Sequence, residues 1–480
     1  MLNTTNYVRI ALPKGKLLPA TSCLLQEIEL GLENYNQDTR IYRLKSTRLD
    51  YLSAKMFQEK DIPIQVAVGN YDLGICGLDW IEELLAKYTE SPLIKVANLE
   101  YDRSNIYLAA SKHGGSSDIN ILPTKWNNWR MVSEYPNLSE ASALNLRLKK
   151  FSIFPVWGAV EAYPPEDADL IVLRAKDEKE IKELGLIPLK NLLSSSAFLI
   201  ANRDSLQTRN ISKILAYFSQ GLKKRKKPWL QIEPKTDKYS NGHYREPDAK
   251  AIRLAVPDGH QQKPAIEFLN RAGLKLAGYS GDKVLNRRPA LNYEWINAKV
   301  IRPQDMPIQV ANGNFDLAIT GIDWLLDHLY RFPSSPVTKL VELGFGGVRI
   351  VAVVSQKLPV NDISDLKNLV ASGKLSPLRV ASEYTNITDK YLRDNHVSWY
   401  KIIPTWGASE AFLPEDADLL IENTQTGKTL ATHNLRIIDT LFQSTACLVG
   451  NKNSLKSPAK RQKISSLVEI FRRTAGSNQT

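Results

Sequence analysis

The stretch DIPIQVAVGNYDLGICGLDW, from Asp61 to Trp80, decides the fold, because the chain repeats it almost unchanged as DMPIQVANGNFDLAITGIDW, from Asp305 to Trp324. Each stretch has an Asp that can cap a helix, a Pro in the first turn, a short strand that ends in glycine, and the apolar spacing of a second helix. A match of this length indicates a tandem duplication. Strands that alternate with helices predict an α/β fold with mostly parallel sheets.

Further repeats mark the extent of each copy. VRIALPKG from Val8 matches IRLAVPDG from Ile252, and VWGAVEAYPPEDADLIV from Val156 matches TWGASEAFLPEDADLLI from Thr405. Between the copies lies GLKKRKKPWLQIEPKTDKYSNGHYREPDAK, which is polar and lacks apolar periodicity, as is typical of a linker. The predicted domains are a first copy at residues 1–220, a basic polar linker at 221–250 and a second copy at 251–480.

The composition is that of a globular protein. The 480 residues are 43% hydrophobic and 24% charged, which are ordinary values for a folded chain. The sequence has no secretory leader and no apolar run of about 18 residues, so it predicts a cytoplasmic protein without membrane contact. The cysteines Cys23, Cys76 and Cys447 lie far apart, which argues against a disulfide framework and against a structural zinc site.

The formal net charge of +12 indicates anionic partners. A surplus of this size attracts nucleic acid, anionic lipid or a small phosphorylated substrate, and the sum alone does not choose among them. The basic run from Lys223 to Lys227 is typical of a solvated linker, or of a contact with nucleic acid or a partner. Nucleic-acid binding is the weaker hypothesis, because only Trp229 accompanies this run and no aromatic residues are interleaved with it.

The stretch QTGKTL, from Gln425 to Leu430, follows the apolar run ADLLIENT and has the chemistry of an anion-binding turn. A glycine lets the backbone approach a ligand, and successive amides can form a concave set of donors. The hydroxyls of Thr426 and Thr429, the charge of Lys428 and a helix that begins near Thr429 would add to it. An ordinary polar turn has the same composition, so both interpretations stay open. Glu422, at the end of the strand, could accept hydrogen bonds from sugar hydroxyls, and a ribose 5-phosphate would fit acid and turn together.

The order of the motifs resembles that of one enzyme family. The chain resembles ATP phosphoribosyltransferase, the first enzyme of histidine biosynthesis, in the succession of PKG, DIPIQVAVGNYDLGICGLDW, VELGFGGVRIVAVV, SEYTNITDKYL, WGASEA, EDADLLIENTQTGKTL and STACLVGNK. The resemblance implies two α/β lobes in each copy with a cleft between them, as in periplasmic binding proteins. It also implies transfer of the phosphoribosyl group of phosphoribosyl pyrophosphate (PRPP) to N1 of ATP, with release of pyrophosphate and with Mg²⁺ as the cofactor.

The resemblance also assigns roles to individual residues. It assigns the 5-phosphate of PRPP to Thr426, Gly427, Lys428, Thr429 and Leu430. It makes Glu422 and Glu410 the catalytic residues: Glu422 binds the ribose hydroxyls, where the family usually has Asp, and Glu410 lies near the pyrophosphate and binds Mg²⁺. Looser matches to nucleotide-binding or phosphate-binding positions around the cleft are Lys14, Lys16, Arg48, Asp72, Asp79, Asp316 and Asp323. Arg287 or Arg288 would be the second copy's counterpart of Arg48.

The two copies differ at the proposed phosphate loop. Leu173 replaces Glu422, and the run from Asp177 to Glu180 replaces the residues from Thr426 to Thr429. Carboxylates repel a phosphate, so the first copy is predicted to have lost its own PRPP site.

Conversely, the first copy keeps Lys14 and Lys16, where the second has Asp258 and His260. Three explanations stay open. The basic face of copy one could complete the loop of copy two, as in a dimer fused within one chain, or copy two could work alone. The chain could also be a catalytically inactive relative, acting as a regulatory subunit or as a bilobed small-ligand binder. By resemblance, the predicted partners are ATP, PRPP, a regulatory subunit similar to histidyl-tRNA synthetase and further copies of the chain.

Overall fold

The computed structural model describes residues 7–36, 41–113, 118–124, 128–224, 248, 250–280, 283–284 and 286–476. Most of the predicted linker at 221–250 lies outside these residues, so the domain boundaries stay a prediction. Within the described ranges, no helix combines the length and the apolar character that a membrane span requires.

The first copy has two lobes, which we call A1 and A2. Lobe A1 begins with β1 (Val8–Pro13), α1 (Leu18–Glu27), β2 (Arg43–Lys45), β3 (Leu52–Phe57), α2 (Asp61–Ala67), β4 (Leu73–Gly77), α3 (Leu78–Lys87) and β5 (Leu93–Asn98). Lobe A2 contains β6 (Ser104–Ser111), β7 (Trp129–Ser133), α4 (Pro136–Asn145), β8 (Phe151–Pro155), β9 (Leu170–Ala175), α5 (Glu178–Glu183) and β10 (Leu186–Ser195). The chain then returns to lobe A1 with β11 (Ala197–Asn202), α6 (Arg203–Thr208) and α7 (Ser212–Lys224).

The second copy repeats this plan in lobes B1 and B2. Lobe B1 begins with β12 (Ile252–Pro257), α8 (Gln262–Arg271), the two-residue strands β13 (Leu276–Ala277), β14 (Tyr279–Ser280), β15 (Lys283–Val284) and β16 (Ala290–Leu291), and then β17 (Ile296–Ile301), α9 (Met306–Ala311), β18 (Leu317–Gly321), α10 (Ile322–Arg331) and β19 (Val337–Glu342). Lobe B2 contains β20 (Val348–Ser355), α11 (Ile363–Ala371), β21 (Leu378–Ser382), α12 (Thr385–Asp394), β22 (Tyr400–Pro404), β23 (Leu419–Thr424), α13 (Lys428–Thr432) and β24 (Leu435–Ser444). The return to B1 is β25 (Ala446–Asn451), α14 (Lys452–Lys456) and α15 (Arg461–Gly476).

The sheet order explains why the chain visits its first lobe twice. In lobe A1 the order is β2-β3-β1-β4-β11-β5, and in B1 the main sheet runs β17-β12-β18-β25-β19. The inner strands pair in parallel, because helices make the crossovers. The return strands β11 and β25 insert antiparallel between two strands made earlier. The predicted fold class, a two-lobed α/β core present twice, is confirmed.

Each lobe packs against the opposite lobe of the other copy. Phe57 and Ile62 of A1 share one buried cluster with Phe412, Leu420 and Leu430 of B2. Lobes A2 and B1 share a second cluster of the same kind. Since each of these clusters contains apolar side chains of both copies, the two copies form a pseudo-dimer within one chain.

The capping role predicted for the repeated Asp is wrong. Helix α2 begins at Asp61 itself, after Lys60, and no side chain caps it. In α9, Asp305 stands at the N-cap position, again without a side-chain cap bond. The carboxylate of Asp305 instead accepts hydrogen bonds from the main-chain N–H of Trp157 in lobe A2. Packing between the copies therefore overrides the local capping preference.

Candidate active site

The loop from Gln425 to Leu430 follows β23, includes the first residues of the short helix α13 and is open to solvent. Gly427 has a φ of +74°, which favours glycine, and a Cβ placed there would meet no atom within 4 Å. Thr426, Lys428 and Thr429 are exposed, whereas Leu430 is buried in the cluster shared with lobe A1. The buried leucine thus anchors a loop whose polar groups remain free to contact a ligand.

The main chain of this loop keeps donors available. The N–H of Gly427 donates to Thr424 Oγ1 at 3.0 Å, and that of Lys428 makes a longer contact of 3.4 Å to Thr426 Oγ1. The next amides belong to the first turn of α13, where N–H groups have no partner within the helix. The loop therefore presents amides and hydroxyls at an open surface.

The corresponding loop of lobe A2 satisfies its own amides. Asp177 caps α5, and its Oδ1 accepts from the N–H of Glu180 at 3.0 Å. Glu180 Oε2 in turn accepts from the N–H of Lys176 at 2.6 Å. Because carboxylates of the chain already occupy the anion position, this loop cannot offer the same donors to a phosphate. We call the surroundings of the loop in lobe B2 the retained site and those of the loop in lobe A2 the degenerate site.

Glu422 lies beside the retained loop, on β23. Its carboxylate accepts hydrogen bonds from Ser409 Oγ and, at 2.9 Å, from the main-chain N–H of Asn423. Burial raises the pKa of Glu422 to about 7, with a further contribution from the charge of Glu410. Burial also raises the pKa of Glu383 to about 8, and the charges of Glu422 and Asp61 add to this shift. Carboxyl groups of both copies therefore converge next to the loop.

A basic side of lobe A1 faces this loop, as the shared-site explanation requires. Lys14 Nζ donates to Tyr42 Oη at 2.8 Å. The ring of Tyr42 packs against the imidazole of His433, with 4.8 Å between ring centroids, and His433 directly follows α13. Burial and the charge of Glu410 raise the pKa of Tyr42. Tyr42 thus connects the lysine of copy one to the glutamate and the loop of copy two.

The WGASEA segment comes close to lobe A1 at a glycine. Gly407 has a φ of +103°, and a Cβ at this position would lie 3.2 Å from Gln58 Nε2. The same Cβ would lie 3.7 Å from Glu383 Oε1. The left-handed backbone conformation favours glycine here, and the end of the Gln58 side chain lies close to it.

Ion pairs between lobes A1 and B2, of which Lys55–Asp416 is buried, fix the relative position of the two lobes. Arg43 Nε lies 3.0 Å from both carboxylate oxygens of Glu415. Lys55 Nζ bonds to Glu415 and, at 2.7 Å, to Asp416, which also accepts from Tyr71 Oη at 3.1 Å. Lys55 and Asp416 are almost wholly buried. The loop of lobe B2 and Lys14 of lobe A1 are therefore held in a defined relative position.

In the degenerate site, a buried arginine pairs with the counterpart of Glu410 and with the acid that replaces Lys14. Arg287 is buried and pairs with Glu161 and with Asp258, each at 2.9 Å. Glu161 corresponds to Glu410, and Asp258 corresponds to Lys14. In the degenerate site, these charged groups therefore already pair with one another.

Some predicted cleft residues lie elsewhere. Asp72 and Asp316 precede β4 and β18, so they stand at the amino ends of these strands, whereas ligands of such sheets bind at the carboxyl ends. Asp72 accepts hydrogen bonds from the N–H of Arg9 and from Ser205 Oγ, and Asp316 has the equivalent partners Arg253 and Ser454. Both carboxylates attach the return segment to the sheet. The prediction that they line the cleft is corrected on this geometry.

Asp79 and Asp323 do lie where the two lobes of each copy meet. Asp79 accepts from Tyr135 Oη and Asp323 accepts from Tyr384 Oη, each at 2.7 Å. Both acids are buried, and serines from the return crossover also bond to them. Their hydrogen bonds connect the lobes.

The two remaining basic residues differ in position. Lys16 Nζ lies 3.7 Å from Asp102, within the first copy. Arg48 pairs with Glu29 at an exposed surface. The arginine of this segment that reaches lobe B2 is Arg43. Arg48 thus has no contact with lobe B2 among the described residues, and its predicted nucleotide-side role stays a prediction.

Sequence reasoning missed four residues of the retained site: Gln58, Asp61, Glu383 and His433. Asp61 was interpreted as a helix cap, and Glu383 is only one letter of the repeated SEY motif. The signal that could have found Glu383 is its place between Ser382 and Tyr384 at the end of a strand. No sequence signal singled out Gln58 or His433, because their proximity depends on how the copies pack.

Comparison with known proteins identifies the family. The sequence profile of the family described as HisG: ATP phosphoribosyltransferase matches residues 58–220 and 302–473, one segment in each copy. The chain belongs to the ATP phosphoribosyltransferase family. The ATP phosphoribosyltransferase of Chlorobium phaeovibrioides is 32% identical over 223 residues, which cover 45% of this chain and 69% of that protein. The corresponding protein of Chlorobaculum parvum is 31% identical over 225 residues, which cover 46% and 70%.

Solved structures give weaker likenesses. The ATP phosphoribosyl transferase (HisG:HisZ) complex from Thermotoga maritima aligns at 22% identity over 47% of this chain and 99% of that chain, with a TM-score of 0.38. The alkanesulfonate-binding protein SsuA from Xanthomonas axonopodis pv. citri aligns at 10% identity over 47% of this chain and 73% of that chain, with a TM-score of 0.31. The sequence matches to ATP phosphoribosyltransferases confirm the predicted family and make this chain a transferase of the pentosyl class.

Proposed function

We propose that the chain transfers the phosphoribosyl group of PRPP to N1 of ATP and releases pyrophosphate at the retained site. The observation that supports this most directly is the contrast between the two loops. The loop of lobe B2 leaves the amides in the first turn of α13 and its threonine hydroxyls open beside Glu422, whereas the loop of lobe A2 bonds the amides of Lys176 and Glu180 to its own carboxylates. The inactive alternative is less favoured, because it gives no reason for an open anion loop next to a sugar-binding acid.

The loop would position the sugar phosphate. Amides around Gly427, the hydroxyls of Thr426 and Thr429 and the charge of Lys428 suit the 5-phosphate. Glu422, which Ser409 and the Asn423 amide orient, would accept hydrogen bonds from the ribose hydroxyls. Holding the ribose at both ends fixes its C1 in space, and such positioning can supply much of the acceleration of a two-substrate transfer.

The leaving group would face lobe A1. The N1–C1 bond forms as the C1–O bond to pyrophosphate breaks, and the electron pair leaves with pyrophosphate. Lys14 faces this side and can balance its charge, with Tyr42 holding the ammonium group at 2.8 Å. In this proposal the active site is shared between the copies.

Magnesium suits the acids that are present. Glu410 is half-buried and lies near Tyr42, whose pKa its charge raises. Mg²⁺ commonly takes one or two carboxylates and fills its other positions with substrate phosphates and water, so Glu410 together with pyrophosphate oxygens would hold it. When bound, the ion supplies positive charge that favours departure of pyrophosphate.

An activity assay tests the proposal. The purified chain is incubated with ATP, PRPP and Mg²⁺, alone and together with the histidyl-tRNA synthetase-like subunit that the family resemblance predicts, and phosphoribosyl-ATP is measured. Glu422→Ala should lower turnover by about 100-fold or more, whereas the matched change Leu173→Ala in the degenerate site should leave it unchanged. Absence of product from the wild-type chain in both arms would refute the proposed reaction.

A second substitution tests the sharing of the site. Lys14→Ala should weaken PRPP binding, measured by calorimetry, because the lysine charge faces the bound phosphates. Lys16→Ala is the control, since Lys16 contacts Asp102 of its own copy. Unchanged PRPP affinity of Lys14→Ala would mean that copy two works alone.

A further inference from the structure

The carboxyl group of Asp61 is buried, and one of its oxygens accepts no hydrogen bond from the described residues. Asp61 is 2% exposed, and its Oδ2 has no hydrogen-bond partner among the residues that the structure describes. Burial raises the pKa of Asp61 well above its ordinary value. A buried polar atom without a partner is costly, so its retention calls for a reason beyond packing.

At the matching position in the degenerate site, the carboxylate accepts hydrogen bonds. Asp305 corresponds to Asp61 in the repeated DIP and DMP motifs. Its two carboxylate oxygens accept from the main-chain N–H of Trp157 at 3.2 and 3.1 Å. In the described chain, the N–H of Trp406, which corresponds to Trp157, makes no such bond to Asp61. The carboxyl group at this position therefore accepts hydrogen bonds in the degenerate site, whereas Asp61 Oδ2 in the retained site accepts none from the described residues.

A second acid of the retained site shows the same contrast. Glu134 in the degenerate half pairs with Lys60 at 2.9 Å. Its counterpart Glu383 forms neither a hydrogen bond nor an ion pair to any other residue in the described ranges. The sequence explains why Glu383 lacks the ion pair that Glu134 has, because Gln304 stands in the second copy where the first has Lys60. Glu383 thus keeps an unpaired carboxyl group.

Both unpaired acids meet at the retained site. Asp61 belongs to lobe A1 and Glu383 to lobe B2, yet the charge of Asp61 is among those that raise the pKa of Glu383, together with those of Glu422 and Glu410. Glu383 Oε1 also lies close to Gly407, in the segment that carries Glu410. Without a ligand, burial favours the protonated forms of these carboxyl groups. A positive group among them favours their ionised forms, and the protons pass to solvent when it binds. The site is therefore suited to a ligand that is, or becomes, cationic.

We propose that Asp61 and Glu383 are further catalytic residues, one from each copy, which stabilise the positive charge that develops on the ribose and then on the adenine during phosphoribosyl transfer. This inference rests on the proposed function. As the C1–O bond breaks, the electron pair leaves with pyrophosphate and the ribose becomes cationic. As the N1–C1 bond forms, the charge passes to the adenine ring, so no proton and no further reactant is needed to balance the step. Fixed carboxylates facing this region favour the transition state over the neutral sugar of the ground state.

The test compares neutral isosteres at matched positions of the two sites. Asp61→Asn and Glu383→Gln are measured in the full-length chain beside Asp305→Asn and Glu134→Gln, for kcat, KM, PRPP affinity and melting temperature without ligand. Asp61→Asn and Glu383→Gln should each lower kcat by about 10-fold or more and change PRPP affinity little. They should leave the melting temperature near neutral pH about unchanged, because without ligand burial keeps the replaced carboxyl groups protonated. The two control variants should keep kcat.

A merely structural role would give a different pattern, in which the melting temperature falls together with activity. That result, or an unchanged kcat in both Asp61→Asn and Glu383→Gln, would overturn the inference while the reaction itself stands. A wild-type chain without any turnover would overturn the proposed function, and this inference with it. The two failures are therefore distinguishable.

Discussion

At the scale of single residues, backbone conformation and charge distinguish the loop of lobe B2 from the corresponding loop of lobe A2. Gly427 adopts a left-handed φ that leaves an open surface in front of the loop. Its counterpart Glu178 lies in the first turn of a helix that is capped by Asp177. A few side chains thus decide whether a strand-to-helix turn can accept an external anion.

Gly427→Asp should abolish PRPP binding, because it places a carboxylate where the phosphate would lie and strains a backbone with a φ of +74°. Gly273→Asp is a matched control: this exposed glycine has the same φ of +74°, and a Cβ there also meets no atom within 4 Å. Calorimetric titration with PRPP distinguishes the variants. Equal affinity in both would remove the phosphate assignment.

The pH dependence of stability follows from the same acids. In the folded chain, burial and the charges of neighbouring carboxyl groups raise the pKa of Glu422 to about 7 and that of Glu383 to about 8. Folding therefore favours their protonated forms, and this contribution is complete below the ordinary pKa of Glu and is lost as pH rises towards 8. Without ligand, the free energy of unfolding should fall over this range.

Chemical denaturation at several pH values measures this effect. Glu383→Gln should flatten part of the decline, since it removes one of the two titrating groups. Glu134→Gln serves as the control, because Glu134 is paired with Lys60. An identical decline in wild type and Glu383→Gln would contradict the prediction.

At the scale of elements, a strand of one copy binds a turn of the other. β3 carries Lys55, whose ammonium group lies between Glu415 and Asp416 in the turn before β23. β17 repeats this with Lys299, which pairs with Glu166 and Asp167 before β9. The repetition indicates that these ion pairs set the relative position of the lobes in both halves of the pseudo-dimer.

Lys55→Met should destabilise the chain by about 3 kcal/mol, because it leaves the buried Asp416 without its cation. Lys95→Met, at an exposed pair with Glu82, should have little effect. Urea denaturation compares the two. A loss for Lys55→Met no larger than that for Lys95→Met would show that the pair does not hold the lobes together.

At the scale of the whole molecule, lobe A1 packs on lobe B2 and lobe A2 packs on lobe B1. Two sites between the copies result, and in one of them the loop keeps hydrogen-bond donors open to solvent. The degenerate site is filled by Arg287, Glu161 and Asp258. The retained site keeps Lys14 opposite the loop of lobe B2, with Tyr42 between them. Duplication within one chain permits this difference between the two sites, because each copy can lose binding groups that the other copy supplies.

The chain should therefore bind one PRPP, not two. Calorimetry of the wild-type chain should give a stoichiometry of one, since Asp177 and Glu180 occupy the donors of the other loop. Asp177→Ala with Glu180→Ala should leave this number unchanged, because Leu173 still replaces the sugar-binding acid. A stoichiometry of two for the wild type would contradict the assignment of the degenerate site.

The two copies should also differ in motion between their lobes. In copy one, Arg174 bonds to Ser104 and pairs with Asp102 at the crossover between lobes. In copy two the equivalent crossover contains Gly344, Gly346 and Gly347, at each of which a Cβ would meet no atom within 4 Å. Glycine lowers the cost of backbone change, so lobe movement should be concentrated in copy two.

Hydrogen exchange followed by mass spectrometry tests this expectation. Amides at residues 343–347 should exchange faster than those at 99–103. Arg174→Asn, which introduces the residue found at position 423, should speed exchange at 99–103. Equal exchange in the two crossovers of the wild-type chain would count against the difference.

Several elements of the fold were predictable because they depend on local pattern. LGICG, the predicted short strand that ends in glycine, is β4. The turn after ADLLIENT is present, and α13 begins at Lys428, next to the predicted start near Thr429. The role of Asp61 was predicted wrongly, since a capping preference is local whereas its surroundings come from the other copy. Asp72 and Asp316 were assigned to the cleft by resemblance alone, although each directly precedes its strand and so lies at the amino end of the sheet.

The sequence by itself determined the duplication, the two-lobed α/β class, the family and the fact that one loop is acidic while the other keeps glycine and hydroxyls. These properties follow from residue order and composition along the chain. Only the tertiary structure decided that lobe A1 faces lobe B2, that Lys14 and Tyr42 reach Glu410 and His433, and that Asp61 and Glu383 lack the partners which Asp305 and Glu134 possess. The reason is that burial and charge compensation depend on distances between segments hundreds of residues apart, which packing of apolar faces sets and sequence spacing does not encode.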